Sequence, residues 1–132
     1  MTLTNLKLRP GEPIVDQVVF AAHKSLLAGE YSKGQPFPSV RALATQLRIH
    51  PNTAHKVVQE LIRQGWLVAR HGQGTTVAEP PLPRAAERRR ALNEEADRFV
   101  VEARRVGASL QEVVQAISRR WQRVSDVGEE GR

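Results

Sequence analysis

The sequence contains no cysteine among its 132 residues. Disulfides, thiolate metal sites, iron–sulfur clusters and cysteine nucleophiles are therefore excluded. It also lacks an uncharged apolar run of the roughly 18–20 residues that a membrane span requires. Its first residues lack the apolar core of a secretory signal. These absences predict a cytoplasmic protein that does not bind a membrane.

Acidic residues are scarce relative to basic ones, with 14 Asp and Glu against 20 Lys and Arg, for a net charge of +6. Such an excess favours an anionic partner, with nucleic acid ahead of a membrane surface. The apolar share of 40% and the charged share of 26% are ordinary for a folded domain and argue against global disorder.

Proline is absent after Pro83, although the chain has eight prolines, three of them in residues 80–83. A proline-rich stretch cannot continue a helix or a central strand, so it predicts a stiff linker. The composition from Arg84 onward favours helix. The sequence therefore predicts a first domain over residues 1–79, a linker over residues 80–84 and a helical tail over residues 85–132.

Apolar residues recur in the first domain at helical spacings of three and four. These spacings and their flanking caps predict helices over residues 14–28, 40–47 and 51–64. Two β-prone runs, residues 66–69 and 75–78, are joined by a glycine-rich loop that is typical of a hairpin. The prediction is a mainly α fold with a small β-hairpin, in the order of a winged helix-turn-helix.

The tail carries two further apolar stripes at helical spacing, which predict a C-terminal helical hairpin. Gly107 ends the first helix, and Ser109 with Glu112 forms a capping box for the second. An isolated helix pair cannot bury its own stripes, so the hairpin must pack on the first domain or on a second copy. We take the second copy as the prediction. The expected dimerisation residues are Leu92, Phe99, Val100, Leu110, Val113, Val114, Ile117 and Trp121.

A helix-turn-helix inserts its second helix into the major groove of DNA, led by the N-terminal residues of that helix. The apolar positions of the helix that begins at Pro51 leave its polar side chains facing outward. Asn52 suits an adenine edge, and Thr53 suits a phosphate or a thymine methyl group. The expected DNA-contacting residues of this helix are His50, Asn52, Thr53, His55 and Lys56.

Further DNA contacts are expected at two places outside this helix. Arg41, near the start of the preceding helix, is placed to bind phosphate or guanine. His71 and Gln73, in the glycine-rich tip of the hairpin, can approach a phosphate or enter the minor groove. Each of these polar residues also has a simpler interpretation as a solvated or helix-capping side chain.

Neither metal binding nor catalysis is supported by the residue pattern. His50 and His55 lie about 140° apart on a helix, and no carboxylate motif accompanies them. The Gly72-Gln73-Gly74 run lacks the lysine and the length of a phosphate-binding loop. No Ser/His/Asp order and no paired carboxylates stand out. We predict no metal, no cofactor and no enzymatic activity.

Several ordered motifs are typical of one family: Gly29-Glu30-Tyr31, the run from Pro38 to Ala44, Pro51-Asn52-Thr53, Gln64-Gly65-Trp66 and Gly72-Gln73-Gly74-Thr75. Over about residues 10–79 the chain resembles the N-terminal domain of the GntR family of bacterial transcription regulators. It departs from the family pattern at His50, where relatives place a small polar helix cap, and at Phe37, where leucine is usual.

The remainder, 53 of 132 residues, is short for the ligand-binding domains of most GntR proteins and resembles the two-helix tail of the YtrA-type subfamily. The resemblance implies a homodimeric DNA-binding repressor, often encoded beside transporter genes. It places the DNA contacts on Arg41, His50, Asn52, Thr53, His55, Lys56, His71 and Gly72. It identifies neither an operator sequence nor a small-molecule effector.

An alternative of a different class is a protein-interaction adapter that uses the winged helix to bind another protein and the tail to dimerise. The polar and basic outward face of the second helix opposes this alternative, because protein-binding surfaces usually expose apolar anchors. Retention on DNA that falls steeply with salt distinguishes the regulator from the adapter.

Overall fold

The structure is a computed structural model that describes residue 3, residues 6–72 and residues 74–130, with side chains as far as residue 123. The chain divides into two compact units, one containing Met1–Pro80 and the other consisting of Pro81–Arg123. In chain order the elements are α1 (Ile14–Leu27), α2 (Val40–Leu47), α3 (Pro51–Arg63), β1 (Leu67–Arg70), β2 (Gly74–Val77), α4 (Ala85–Arg105) and α5 (Leu110–Glu130).

The core of the first unit lies where α1 and α2 pack against α3 and the hairpin closes over them. Each helix contributes the apolar stripe that its sequence spacing predicts, and Leu67 and Val77 add one residue from each strand. This packing confirms the predicted winged helix-turn-helix. The buried stripe residues include Val18, Val19, Ala22 and Leu26 of α1, Leu43 and Ala44 of α2, and Ala54, Val57, Val58 and Leu61 of α3.

In the first unit, α2 has its predicted bounds, and every other helix or strand boundary agrees with the predicted one to within a single residue. Ala28 and Gln64 are the C-caps of α1 and α3, because each still donates its N–H to helix carbonyls without continuing the helix. β1 lies one residue later than predicted, since the Trp66 N–H bonds to the Leu61 carbonyl at 3.0 Å and so closes the end of α3. β2 lies one residue earlier than predicted and begins at Gly74, which pairs with Arg70. These shifts leave the element order unchanged.

The two strands form an antiparallel hairpin, hereafter the wing, with Leu67 opposite Val77 and Arg70 opposite Gly74. The outer edge of β2 is covered by the segment 34–37. The Gly34 N–H donates to the Val77 carbonyl at 2.7 Å, the Phe37 N–H to the Thr75 carbonyl at 3.0 Å, and the Val77 N–H to the Gln35 carbonyl at 2.9 Å. The base of the wing is therefore tied to the loop that precedes α2.

The segment before α1 also belongs to the core, which the sequence patterns did not indicate. Leu3 is only 1% exposed, and its N–H donates to the Ser25 hydroxyl at 3.1 Å. The buried Gln17 side chain accepts the Arg9 N–H through Oε1. Its Nε2 group donates to the carbonyls of Arg9 and Glu12. One polar side chain of α1 thus fixes the path of the segment that precedes it.

The second unit is a pair of long helices with little burial of its own. Gly107, at φ 76°, follows α4, and the predicted capping box is present, with Ser109 and Glu112 each donating a backbone N–H to the other's side chain at 3.1 Å. Within residues 81–123, Ala103 is the single buried hydrophobic residue. Across the described part of the chain, no helix is both long enough and apolar enough to cross a membrane.

Candidate nucleic-acid interface

The helix α2 presents Arg41 to solvent from its first turn. Ser39 caps the helix, because its hydroxyl accepts the Ala42 N–H at 3.0 Å. Thr45, one turn after Arg41 on the same exposed side, donates its hydroxyl to the Arg41 carbonyl at 3.0 Å. Arg41 therefore lies in the first turn of a capped helix with an exposed side chain, and its phosphate contact stays a prediction.

The N-terminus of α3 is capped by a histidine ring. His50 accepts the Asn52 N–H at 3.0 Å through its Nδ1 atom, so the proton of a neutral ring sits on Nε2. The ring replaces the small polar cap of the family pattern and performs its function. Its Nε2–H remains able to donate to a group outside the protein.

The predicted residues of α3 share one exposed face. Asn52, His55 and Lys56 are exposed, Thr53 is half-buried at the margin, and the opposite face of the helix is buried in the core. At 100° per residue, Asn52, His55 and Lys56 fall within an arc of roughly 100°. The structure thus brings them together on one surface that begins at the capped helix end.

This exposed face continues to Gln59 and Arg63, which the sequence analysis did not select. Both side chains are exposed, and they follow Asn52 by seven and eleven residues, spacings that return to nearly the same angle on a helix. The helical spacing of Gln59 and Arg63 from Asn52 was the sequence signal that could have identified them. The sequence analysis stopped at Lys56 because helix-turn-helix proteins lead with the N-terminal residues of this helix.

A network of side chains holds the C-terminal end of α3 against α1. The Arg63 guanidinium donates to the Glu60 carboxylate and lowers the pKa of Glu60 to about 2. Gln64 donates to Glu60 at 3.0 Å and bonds to His23 of α1 at 2.6 Å, and the His23 ring lies 5.3 Å from that of Trp66. Because the Glu60 charge is balanced by Arg63, this part of α3 adds no net negative charge.

The tip of the wing carries His71 and Gly72, both exposed. Gly72 has φ 76°, a backbone conformation that residues with a Cβ atom rarely adopt, so the tight turn depends on glycine here. Gln73, the third predicted wing residue, lies outside the described residues. Over residues 3, 6–72 and 74–123, no group of three His, Asp or Glu residues is arranged to hold a metal ion.

Comparison with known proteins gives this fold a family. The family model described as "Bacterial regulatory proteins, gntR family" matches residues 14–77, from the start of α1 to the end of β2. Residues 14–77 therefore form a domain of the GntR family. The HTH-type transcriptional repressor YtrA of Bacillus subtilis is 29% identical to this GntR protein over 106 residues, which are 80% of this chain and 82% of YtrA.

Solved structures support the fold of this GntR protein. The crystal structure of a transcriptional antiterminator from Listeria monocytogenes EGD-e superposes with a TM-score of 0.78 at 21% identity, covering 91% of this chain and 90% of that one. The DNA-binding domain of AraR, in complex with the operator ORX1, superposes with a TM-score of 0.50 at 27% identity, covering 55% of this chain and 93% of that one.

These comparisons confirm three of the predictions made from the sequence. The GntR family and the YtrA-type resemblance are confirmed, and so is the winged helix-turn-helix fold. The family and the relatives are transcription regulators, so the protein is not an enzyme. The residue-level contacts, the dimer and the operator remain predictions and are taken up next.

Proposed function

We propose that this GntR protein is a homodimeric transcriptional repressor that binds an inverted-repeat operator in double-stranded DNA. One observation carries the proposal: the exposed face of α3 bears hydrogen-bond donors from its capped N-terminus onward, while the opposite face is buried in the core. A helix of this kind suits the major groove of DNA. The superposition with the AraR domain, which was solved with its operator, supports the same partner.

The residues divide into those that bind the DNA backbone and those that distinguish bases. Arg41 binds phosphate from the start of α2, and Lys56 adds a second positive charge on the exposed face of α3. Asn52 contacts a base edge, for which adenine is the best match, and Thr53 binds a neighbouring phosphate or thymine methyl group. His50 donates a hydrogen bond to the DNA from its Nε2 atom.

The remaining contacts come from His55, on the same face of α3, and from the tip of the wing. His71, Gly72 and Gln73 approach a phosphate or the minor groove, because the glycines of this turn allow the backbone to come close to DNA. We assign these residues to the interface together with those of α2 and α3. The domain over residues 1–79 would therefore bind one half-site.

We assign the contact with a second copy of the chain to the tail, residues 85–132. Two helices of 21 residues each, with a single buried hydrophobic residue as far as residue 123, leave their apolar stripes accessible. Burial of such stripes is what stabilises helix pairs in water, and a second identical hairpin offers the same stripe in return. The proposed contact residues are Leu92, Phe99, Val100, Leu110, Val113, Val114, Ile117 and Trp121.

Repression is proposed because the relative YtrA is named a repressor. The regulated genes are proposed to include a transporter operon, as the family resemblance implies, and the protein would act in the cytoplasm. No effector is assigned to it.

Selection of bound sequences from random duplex DNA tests the proposal most directly. We expect enrichment of an inverted repeat, with affinity that falls steeply as salt is raised, because phosphate contacts release counterions. Heparin or random DNA should retain the protein in the same salt-dependent way. Failure to enrich any sequence, together with partner binding that ignores salt, would favour the protein-interaction adapter.

A further inference from the structure

The turn between α2 and α3 contains an arginine in an unusual backbone conformation. Arg48, the C-cap of α2, has φ 55° and ψ 47°, the left-handed region. Among the residues that the structure describes, seven glycines also have positive φ, and Arg48 is the one residue with a side chain that does. A Cβ atom disfavours this conformation, and glycine adopts it freely.

The fold itself does not require arginine at this position. The Arg48 and Ile49 backbone N–H groups both donate to the Ala44 carbonyl, and a glycine at residue 48 would make the first of these bonds equally well. The Arg48 side chain is exposed, and no acidic side chain in the described ranges pairs with it. Within the described residues, no ion pair of the Arg48 side chain therefore offsets the cost in backbone conformation.

The position of Arg48 relates it to the DNA-binding surface. It follows Arg41 of α2 by seven residues, and both side chains are exposed. It also precedes His50, the cap of α3, by two residues. The two backbone bonds to Ala44 fix the point from which its guanidinium extends.

We propose that Arg48 binds a DNA phosphate and so positions the turn between α2 and α3 on the DNA backbone; this inference rests on the proposed DNA binding. A strained residue that persists without an internal contact points to an external one. Arginine is suited to this contact, since its guanidinium binds phosphate with two parallel hydrogen bonds. A phosphate contact carries no sequence information, so its effect should be the same on every duplex.

The test compares Arg48→Gly, Arg48→Asn and Arg48→Lys with the full-length protein by fluorescence anisotropy, on the selected operator and on a random duplex, over a salt series. Glycine and asparagine both tolerate the left-handed conformation, and lysine keeps the charge. Arg98→Gln, which removes one positive charge from α4, is the control for net charge.

Both neutral variants should bind the two duplexes more weakly by the same factor. Their plots of log affinity against log salt should be shallower by about 0.9, so that the deficit shrinks about threefold to fourfold between 50 and 200 mM salt. Arg48→Lys should retain the wild-type slope, Arg98→Gln should match the wild type, and the melting temperature of Arg48→Gly should not fall.

An unchanged salt slope in either neutral variant would overturn the assignment, and so would an equal loss in Arg98→Gln. If the wild type binds duplex DNA and the Arg48 variants match it, only the role of Arg48 fails. If the wild type shows no salt-dependent binding to any duplex, the proposed function fails with it.

Discussion

At the scale of single residues, the two ring nitrogens of His50 have different surroundings. Its Nδ1 atom accepts the Asn52 N–H and so completes the N-terminus of α3, while its Nε2–H faces out of the protein. A serine in this place would cap the helix but would not extend a ring toward a ligand. The cap and the proposed DNA contact are thus properties of different atoms and can be separated by substitution.

Replacing His50 should affect stability through the cap alone. His50→Ala should lower the free energy of unfolding by about 0.5–2 kcal/mol, because the Asn52 N–H loses its acceptor. His50→Ser should keep the wild-type stability, and His71→Ala, on the wing, serves as the control for loss of an exposed histidine. Urea titrations measure all three. Equal destabilisation by alanine and by serine would contradict this account of the cap.

Arg41 and Asn52 should differ in what their loss changes. Arg41→Ala should weaken binding to every sequence and reduce the salt slope by about 1, as expected for one lost phosphate contact. Asn52→Ala should instead relax the preference at one base pair, by about 1–3 kcal/mol. Titration of each variant on the operator, on single-base variants of it and on random DNA tests the distinction. The two roles are wrongly assigned if both variants behave alike on all duplexes.

The sequence alone identified the exposed polar residues of α3 because helical periodicity determines which side chains face the core. It did not reveal that the His50 ring makes the cap, since ring orientation depends on the turn that precedes it. Arg48 escaped notice for a related reason. Its significance lies in a left-handed φ that neither composition nor periodicity encodes.

At the scale of elements, the segment before α1 contributes to the core, although residues 6–13 form neither a helix nor a strand. Leu3→Ala should lower the free energy of unfolding by about 2–5 kcal/mol, because it removes a fully buried side chain and leaves a cavity. Leu82→Ala, at a position 90% exposed, should change stability little. Thermal or urea unfolding distinguishes them. Similar stability of the two variants would show that Leu3 does not belong to the core in solution.

The tail helices should lose association when their shared stripe loses its largest side chains. Phe99→Ala and Trp121→Ala each remove an aromatic group that contributes roughly 3–5 kcal/mol when buried, so both should weaken the dimer. Val101→Ala is the matched control, because Val101 is 69% exposed and lies on the opposite face of α4 from Phe99. Sedimentation equilibrium reports the dissociation constants. A wild-type monomer at micromolar concentration, or unchanged dimers in both variants, would refute the proposed interface.

In the first domain, sequence periodicity predicted both ends of every helix and strand to within one residue, because caps and glycines mark these boundaries strongly. The same reasoning passed over residues 3–9, where Leu3, Leu6 and Leu8 contact the core without a helical or strand spacing. Two side chains of α1 hold this segment: Ser25 accepts the Leu3 N–H, and the Gln17 amide binds the backbone of Arg9 and Glu12. Hydrogen bonds of this kind, between a helix side chain and the backbone of another segment, leave no periodic pattern in the sequence.

At the scale of the whole molecule, the proposed dimer should impose a strict spacing on its operator. Two DNA-binding domains related by two-fold symmetry contact half-sites whose centres lie about 10 bp apart or at a multiple of it. The linker between β2 and α4 contains Pro80, Pro81 and Pro83 and has no helix or strand, which limits how far each domain can shift.

Inserting 5 bp between the half-sites should therefore abolish most of the affinity, because one half-site turns to the opposite face of the duplex. A 10 bp insertion, which restores the face, is the control and should recover part of the binding. A Gly/Ser linker in place of residues 80–83 should make the protein more tolerant of both insertions. Electrophoretic titrations in which the 5 bp insertion leaves binding intact would refute cooperative binding by a tail-locked dimer.

The loop that covers β2 also bears on aggregation. An unpaired strand edge is a template on which other chains can add strands, and small β-sheets in helical proteins are exposed to this hazard. Here Gly34, Gln35 and Phe37 already bind the Thr75 carbonyl and the N–H and carbonyl of Val77, and Pro36 on that edge has no N–H to donate. Polymerisation through the wing is thereby confined to the other strand, β1, which is only four residues long and ends in Arg70. The covered edge makes the wing a poor starting point for fibre formation.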